Sequence, residues 1–279
     1  GQIYSPKSIP FVELVAQNSN KEYVDVAEKF IKTVEGDYAL IVAKKGELVA
    51  ARDIVGVESF YYGENSRLCV IGSNQTILWK MGIKETKSFP PGHVAVVNSE
   101  GFKFTPVKTF VYSEPKPVRL SDAGEKLQRL LEQSVQRRVK GLRKVAVAFS
   151  GGLDSSVLAY LVKKCGVDVQ LIHVSMENQP ETEDALNAAE ELELPLQISL
   201  FKEKDVEKVI AKVVGLIEES DPIKIGIGVP FYWAAEKTAQ AGISVLLAGQ
   251  GADELFGGYQ RYISEFLKEG DANVRRTMF

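Results

Sequence analysis

Two short stretches of the sequence hold the residue types that bind phosphate. The first, SGGLDSS at residues 150–156, directly follows the apolar stretch KVAVAF at 144–149. Its two glycines lack a Cβ and let backbone N–H groups approach an anion closely, and the helix expected to follow adds free N–H groups at its start. Its serine hydroxyls are further donors. The candidate phosphate-binding residues are Ser150, Gly151, Gly152, Asp154, Ser155 and Ser156.

The same stretch contains Asp154, whose carboxylate would repel a phosphate unless a cation lay between them. Mg²⁺ prefers one or two carboxylates together with phosphate oxygens. A second carboxylate, Asp253, occurs in GQGADELFGGYQRY at 249–262, which also follows an apolar stretch. The alternative for each stretch is a turn with a single Asp or Ser cap at a helix start. One cap does not explain seven consecutive suitable residues at 150–156, so we interpret Asp154 as a Mg²⁺ ligand. For the second stretch a helix cap is the stronger alternative, and we interpret Asp253 as a second Mg²⁺ ligand because both stretches are expected at the same edge of one sheet.

The elements that must position these stretches alternate between strand and helix. The predicted strands are 144–149, 168–174, 196–200 and 243–249, and the predicted helices begin at Ser155 or cover 183–192, 206–219 and a segment through Trp233 that follows a Pro-bounded stretch. Such alternation predicts βαβ units and a doubly wound parallel sheet. Ligands of such sheets bind beyond the carboxyl ends of the strands, where both glycine-rich stretches are expected to meet.

The first 112 residues follow a different pattern. An amphipathic helix, which Gly36 is expected to close, precedes β-rich segments at 38–44, 47–52, 59–63, 68–73 and 93–98. Pro115 and Pro117 in VYSEPKPVRLSD predict a linker. We therefore predict a β-rich α+β domain at 1–112, a linker at 113–122 and an α/β domain at 123–279.

Composition excludes several classes of function. The formal net charge of −3 offers no basic surface for nucleic acid, and the apolar runs are too short to span a membrane. Cys69 and Cys165 show no partner spacing, which predicts reduced, buried thiols and a cytoplasmic protein. His173 lies within an apolar strand, where a hydrogen-bonded core histidine is the expected interpretation.

The two glycine-rich stretches resemble a known family. SGGLDS at 150–155 resembles the pyrophosphate loop of the ATP pyrophosphatases, and with GADELFGGY at 251–259 it resembles the synthetase domain of the glutamine-dependent asparagine synthetase family. The stretches 36–62, 72–80 and 89–97 are similar to the latter part of that family's class II glutaminase domain. The resemblance implies a truncated N-terminal-nucleophile amidotransferase-like domain followed by an ATP pyrophosphatase domain.

The resemblance also implies a reaction. ATP would place its β- and γ-phosphates on the 150–155 loop with Mg²⁺ on Asp154 and Asp253. A substrate carboxylate, aspartate as the first candidate, would be adenylated with release of pyrophosphate and then captured by ammonia or another amine. A homodimer is compatible with this prediction. The residues implied to lie near adenine and ribose are Phe149, Val174, Ala248 and Gly249.

Three departures from the family pattern affect this expectation. The family's glutaminase uses an N-terminal cysteine, whereas this sequence begins at Gly1, so we expect no glutamine hydrolysis and a structural role for Arg52 and Asp53. Gln250 stands where asparagine synthetases usually carry glutamate, and it can only form hydrogen bonds. The sequence also ends at Phe279, earlier than the family does. The expected catalytic residues are Asp154, Gln250 and Asp253.

These departures leave two alternatives open. One is a non-catalytic scaffold or sensor that binds ATP or AMP, which Gln250 and the short C-terminus favour. The other is a ligase that adenylates a different acid, as β-lactam synthetase does. The intact SGGLDSS stretch favours nucleotide binding in every case.

Overall fold

The computed structural model describes residues 1–4, 13, 15–16, 22–44, 46–111, 114 and 116–269. The chain divides into two compact units, Gly1–Pro117 (unit 1) and Val118–Phe279 (unit 2). The first helix of unit 2 begins at Leu120, within the segment predicted as a linker. Pro117 disfavours helix at the residue before it but not beyond it, and Asp122 in the first turn favours a helix start.

Unit 1 contains mostly short strands, as the sequence predicts. Its described elements are β1 (Gln2–Ile3), α1 (Tyr23–Thr33), β2 (Gly36–Asp37), β3 (Ala39–Lys44), β4 (Glu47–Arg52), β5 (Tyr61–Glu64), β6 (Cys69–Gly72), α2 (Gln75–Lys80), β7 (Lys87–Ser88), β8 (His93–Asn98) and β9 (Gly101–Pro106). All five predicted strands are present, as β3, β4, β5, β6 and β8. The expectation that Gly36 closes the helix was wrong, because the backbone is already extended at Val34 and Gly36 pairs with Ile3 in β2.

The core of unit 1 lies on both faces of an antiparallel sheet in the order β3-β4-β8-β9. Successive side chains of a strand point to opposite faces. Val49 of β4 therefore packs with Phe30 of α1 on one face, and Ala50 packs on the other face with an aromatic cluster. The rings of that cluster are Phe60, Tyr62, Phe89, Phe102 and Phe104. Unit 1 is thus the β-rich α+β fold that the sequence predicts.

Unit 2 alternates strands and helices. Its described elements are α3 (Leu120–Val139), β10 (Lys144–Ala148), α4 (Leu153–Lys164), β11 (Asp168–Met176), α5 (Glu181–Glu191), β12 (Leu196–Phe201), α6 (Glu203–Ile217), α7 (Pro222–Gln240), β13 (Leu246–Leu247), α8 (Ala252–Phe256) and α9 (Gln260–Glu269). The four strands are parallel and lie in the order β12-β11-β10-β13. From β10 the chain continues to β11 and β12 on one side of β10, and β13 is added on the other side. The strand order therefore reverses between β10 and β13.

Helices cover both faces of this sheet, which confirms the doubly wound α/β prediction. Val145 and Val147 of β10 pack against α3, α4 and α5 on one face. Ala146 of β10 and Ile172 of β11 pack against Ala234 of α7 on the other face. Helix α6 packs onto α7, where Val213 meets the buried Trp233.

Two predicted elements of unit 2 have different bounds. The strand predicted at 243–249 is reduced to Leu246–Leu247, because the N–H of Ile243 bonds to Thr238 O at 3.1 Å and closes α7 instead. The Pro-bounded stretch that was expected to precede the helix through Trp233 is itself helical, because α7 runs from Pro222 to Gln240. Asp221 caps its first turn by accepting a hydrogen bond from Ile223 N at 2.7 Å, and Pro222 occupies the first helical position, where proline is tolerated.

Within the described ranges, no helix combines the length and the apolar character needed to cross a bilayer.

Cys69 is half-buried and Cys165 is exposed at the C-terminal cap of α4. The prediction of a buried thiol was therefore wrong for Cys165, which lies at the helix end among the exposed residues Lys163, Lys164 and Gly166.

Candidate functional site

The carboxyl ends of β10 and β13 open into a cavity of about 340 Å³. This position, where the strand order of a doubly wound sheet reverses, is where such sheets bind ligands. Most of the residues singled out from the sequence line this cavity: Phe149, Ser150, Asp154, Ser155, Val174, Ala248, Gly249, Gln250 and Asp253. The structure therefore brings together the two glycine-rich stretches that lie about a hundred residues apart in the sequence.

Gly151, Gly152 and Ser156 were also predicted site residues, but they are not part of the cavity wall. Gly151 has a φ of +80°, and a Cβ there would come within 2.7 Å of backbone atoms of Asp184 and Ala185 in α5. Only glycine fits this position without moving the backbone. Gly151 thus lets the loop pack directly on the first turns of α5, while Ser156 Oγ donates to Gly151 O at 3.5 Å.

Side-chain hydroxyls hold the loop in a closed turn. Ser155 is buried in the first turn of α4, and its Oγ lies 3.1 Å from Gly152 O and 3.2 Å from Ser150 Oγ. The N–H of Ser150 donates to the same Ser155 Oγ at 3.4 Å, and the N–H of Gly152 donates to Ser150 Oγ at 3.2 Å. Gly152 is the N-cap of α4, so the free N–H groups and the positive end of the helix dipole lie at the loop.

Asp154 and Asp253 occupy the first turns of α4 and α8 and border the same cavity. Among the described residues, neither carboxylate has a salt-bridge partner. The position of Asp253 requires a glycine nearby, since a Cβ on Gly258 would lie 1.9 Å from its Oδ1. Two partly buried carboxylates without a cationic partner fit a divalent cation that takes its other ligands from phosphate and water.

The donor set also limits what the metal site can be. In the part of the chain that the structure describes, no group of three or more His, Cys, Asp or Glu residues is placed to hold a metal ion. A metal cage made only of protein side chains is therefore not found there. Mg²⁺ needs no such cage when a nucleotide supplies phosphate oxygens, so Asp154 and Asp253 remain compatible with Mg²⁺ bound together with ATP.

Sequence reasoning missed the apolar wall of the cavity and two polar residues. The apolar residues are Ala148, Ile172, Pro230, Phe231 and Ala234, and the polar ones are His173 and Glu181. The strand-end rule could not find Pro230, Phe231 and Ala234, because they lie in the middle of a helix that covers the sheet face. His173 is a satisfied core histidine as expected, with Nδ1 2.9 Å from Phe149 O, and in addition it borders the cavity.

Arg52 and Asp53 of unit 1 have the structural role expected for them. Arg52 donates to the carbonyl oxygens of Phe89 at 2.7 Å and Gly56 at 2.6 Å. Asp53 accepts from the N–H groups of Val55 at 2.8 Å, Gly56 at 2.7 Å and Tyr38 at 3.1 Å. Burial lowers the pKa of Arg52, and the neighbouring Asp53 opposes that shift. Both side chains are occupied by the fold itself.

Neither cysteine is placed as an activated nucleophile. Burial raises the pKa of the Cys69 thiol, and a hydrogen bond to Glu64, whose Oε2 lies 3.6 Å from Sγ, raises it further. A raised pKa keeps the thiol protonated and unreactive. Cys165 follows the last turn of α4, in unit 2 and outside the residues that match an amidotransferase pattern in the sequence.

Comparisons with known proteins agree with this arrangement. Residues 126–275 match the family model described as asparagine synthase, and residues 11–80 match a glutamine amidotransferase domain. A protein of Methanocaldococcus jannaschii, provisionally named as a glutamine-hydrolysing asparagine synthetase, is 32% identical in an alignment 269 residues long that covers 90% of this chain and 50% of that protein. The asparagine synthetase of Triphysaria versicolor is 28% identical in an alignment 251 residues long that covers 85% of this chain and 42% of that protein.

One solved structure in this comparison is an NH₃-dependent NAD synthetase from Campylobacter jejuni in complex with the nitrate ion, with a TM-score of 0.36 at 21% identity over 48% of this chain and 60% of that one. The chain spans about half the length of the curated relatives it matches. The asparagine synthase model covers more than half of the chain, including both glycine-rich stretches. The chain therefore belongs to the asparagine synthase family.

Proposed function

We propose that this chain is an ATP-dependent amide-forming ligase that adenylates a small carboxylic acid and transfers the acyl group to ammonia. One observation carries the proposal. Ser150, Asp154 and Ser155 of the SGGLDSS loop border, together with Asp253, a single cavity at the reversal point of a doubly wound sheet. Family membership supports ATP-dependent carbon–nitrogen ligation, and aspartate is the first acid to test, because the relatives are named asparagine synthetases.

ATP fits the cavity with its two ends in different environments. The β- and γ-phosphates lie at the start of α4, where the loop's backbone N–H groups and the helix dipole favour negative charge. The adenine and ribose lie near Phe149, Val174, Ala248 and Gly249. The flat base has a hydrophobic wall made of apolar side chains that the sequence did not predict: Ile172, Pro230, Phe231 and Ala234.

Asp154 and Asp253 would hold Mg²⁺ at the triphosphate. When bound, the ion would neutralise charge on the phosphates and on the departing pyrophosphate. The chain's own contribution is to orient both carboxylates: Asp154 through the first turn of α4, and Asp253 through the close approach of Gly258.

The proposed reaction has two steps. A carboxylate oxygen of the substrate attacks the α-phosphorus, the bond from that phosphorus to the bridging oxygen breaks, and pyrophosphate leaves. The lone pair of ammonia then attacks the acyl carbon, AMP leaves with the bonding electrons, and the nitrogen loses a proton to give the neutral amide. Gln250 is exposed at the cavity rim and holds reactants by hydrogen bonds only, because an amide neither gives nor takes a proton near neutral pH.

Free ammonia is the nitrogen donor that the chain's chemistry favours. Cys69 and Cys165 are the only cysteines of this sequence. The raised pKa of the Cys69 thiol disfavours it as a nucleophile for glutamine. Cys165 lies in unit 2, outside the residues that match the glutamine amidotransferase domain. We therefore propose that neither cysteine hydrolyses glutamine and that ammonium serves the reaction of this chain.

A pyrophosphate exchange assay tests the proposal. The protein is incubated with Mg·ATP, labelled pyrophosphate and one carboxylic acid at a time, aspartate first. Exchange that depends on one acid supports a ligase and identifies the acid, and product formation is then compared with ammonium and with glutamine. Asp168, exposed at the opposite end of β11, provides the matched control: Asp154→Asn should abolish exchange, whereas Asp168→Asn should not.

A nucleotide-binding protein without ligase activity is the second candidate function. The neutral Gln250 at the cavity rim favours it, since no acid or base stands at that position. Tight ATP binding without exchange for any acid would support this candidate and contradict the ligase. Exchange with an acid other than aspartate would support the ligase with another substrate. We further propose a cytoplasmic homodimer, which sedimentation of the purified protein and fractionation of the source cells test.

A further inference from the structure

His173 occupies an unusual position among the cavity residues. It lies on β11, is 3% exposed, and borders the cavity. The last residue pair of β10 and β11 is Ala148 with Ile172. Phe149 is the single residue between Ala148 and the SGGLDSS loop, which begins at Ser150. At that point the Nδ1 of His173 lies 2.9 Å from Phe149 O. A carbonyl oxygen can only accept, so Nδ1 carries the proton that is donated.

The other ring nitrogen of His173 reaches a different element. Nε2 lies 3.2 Å from Thr182 Oγ1 in the first turn of α5. With the Nδ1 proton assigned, a neutral imidazole accepts the hydroxyl proton of Thr182 at Nε2. The loop already packs on α5 through Gly151, whose missing side chain leaves room for the backbone of Asp184 and Ala185. One imidazole therefore connects the end of β10 with the helix on which the loop rests.

The geometry of the peptide between Phe149 and Ser150 makes this contact relevant to the loop. The carbonyl of Phe149 and the N–H of Ser150 belong to one planar peptide group. The carbonyl is fixed by His173, while the N–H donates to Ser155 Oγ at 3.4 Å. A rotation of this peptide would break both hydrogen bonds and redirect the loop. The N–H of Phe149 is held separately by Ile172 O at 2.9 Å, so the bond to His173 fixes the next peptide group, the one through which the chain leaves β10.

We propose that His173 is a positioning residue for the SGGLDSS loop, acting through the Phe149 carbonyl and, to a smaller extent, through Thr182. The role of that loop in nucleotide binding rests on the proposed function, but the positioning itself does not. Both ring nitrogens of His173 are hydrogen-bonded within the protein, so the proposed role is positioning and not proton transfer. His173 holds the loop in the conformation that binds a triphosphate. Binding then costs less conformational entropy, because the loop is already ordered.

Two amide substitutions separate the two contacts of the ring. The amide nitrogen of asparagine can reach the position of Nδ1, and that of glutamine the position of Nε2. His173→Asn therefore keeps the donor to Phe149, His173→Gln keeps only the reach to Thr182, and His173→Ala keeps neither. Thr182→Val removes the second contact alone.

Amide hydrogen exchange of the nucleotide-free protein measures the loop directly. We expect the peptide covering 149–156 to exchange about tenfold faster in His173→Ala and His173→Gln than in the wild type, and within about threefold of it in His173→Asn. Thr182→Val should fall between. The peptide of α6 (203–217), which does not contact the ring, is the internal reference. In calorimetry, the same order is expected for the dissociation constant of Mg·ATP.

Several results would overturn the proposal. His173→Asn exchanging as fast as His173→Ala would show that the Nδ1 donor does not hold the loop. Equal acceleration in the loop and in α6 would show a core residue that only stabilises the unit. A wild-type protein that binds no nucleotide would contradict the proposed function instead, and the exchange experiment would still decide the role of His173.

Discussion

Unit 1 buries a charged pair that its own backbone fully occupies, whereas unit 2 leaves two carboxylates at the wall of a cavity. Arg52 and Asp53 are 6% and 1% exposed, and each bonds to several backbone groups. Asp154 and Asp253 are only partly buried and, among the described residues, form no salt bridge. Both pairs are charged residues at or after the carboxyl end of a strand, so residue type alone does not distinguish them.

The two pairs differ in which groups offset the desolvation cost of their buried charges. A buried charge must be compensated, because an unpaired one costs several kcal/mol. The fold compensates Arg52 and Asp53 internally, which makes them structural. It leaves Asp154 and Asp253 uncompensated beside a cavity, which is how a ligand site differs from a structural network. Substitutions in the two pairs should therefore have opposite signatures.

The largest effect is expected at the carboxylates of unit 2. Asp154→Asn and Asp253→Asn should each reduce Mg-dependent pyrophosphate exchange by at least about 100-fold, because the cation loses one of two protein ligands. The free energy of unfolding without ligand should fall by less than about 1 kcal/mol, since no internal partner is lost. Assays of exchange and urea unfolding on the same samples check both parts. A large loss of stability would assign these carboxylates to structure.

The opposite signature is expected for Asp53→Ala. Three backbone N–H groups lose their acceptor, and the buried Arg52 loses its neighbouring negative charge, so we expect a loss of about 3 kcal/mol in the stability of unit 1. Differential scanning calorimetry measures it. The affinity of the folded protein for Mg·ATP should stay unchanged. Unchanged stability would contradict the structural assignment of Asp53.

A smaller effect is expected when Asp253 is displaced rather than replaced. A Cβ on Gly258 would overlap Asp253 Oδ1, so Gly258→Ala should move the carboxylate and weaken Mg-dependent exchange by about tenfold. Gly215→Ala in α6 is the control, because no atom lies within 4 Å of the added Cβ. Exchange that is equally reduced in both variants would attribute the effect to general destabilisation.

The smallest expected effect concerns Glu254 and Tyr259, whose exposed hydrogen bond lies within the second glycine-rich stretch. The phenol of Tyr259 donates to Glu254 Oε1 at 2.5 Å, and this bond raises the pKa of Tyr259 to about 12. Because the folded pKa is above the unfolded value, the stabilisation is present below pH 10 and is lost as pH rises through about 12. Glu254→Gln should return the phenol pKa towards 10 in an ultraviolet titration. An unchanged titration would show that the bond is absent in solution.

The sequence was sufficient for the two folds and for the polar side of the cavity. Strand alternation and the glycine-rich stretches predicted the parallel sheet and most of the residues at its edge, because both follow from local chemistry. It was insufficient for Phe231 and Ala234, whose contribution depends on how α7 packs over the sheet. His173 was assigned to the core correctly, but its proximity to the loop depends on strand register, which no local pattern contains.

Calorimetric titration of ATP into the purified protein, with and without Mg²⁺, tests the central claim most directly. The claim is that the loop between β10 and α4 binds the Mg²⁺-bound triphosphate with Asp154 and Asp253. We predict binding that Mg²⁺ strengthens in the wild type and in Asp168→Asn, and loss of the Mg²⁺ effect in Asp154→Asn. Absence of ATP binding by the folded wild type, or a Mg²⁺ effect that survives in Asp154→Asn, would contradict the account.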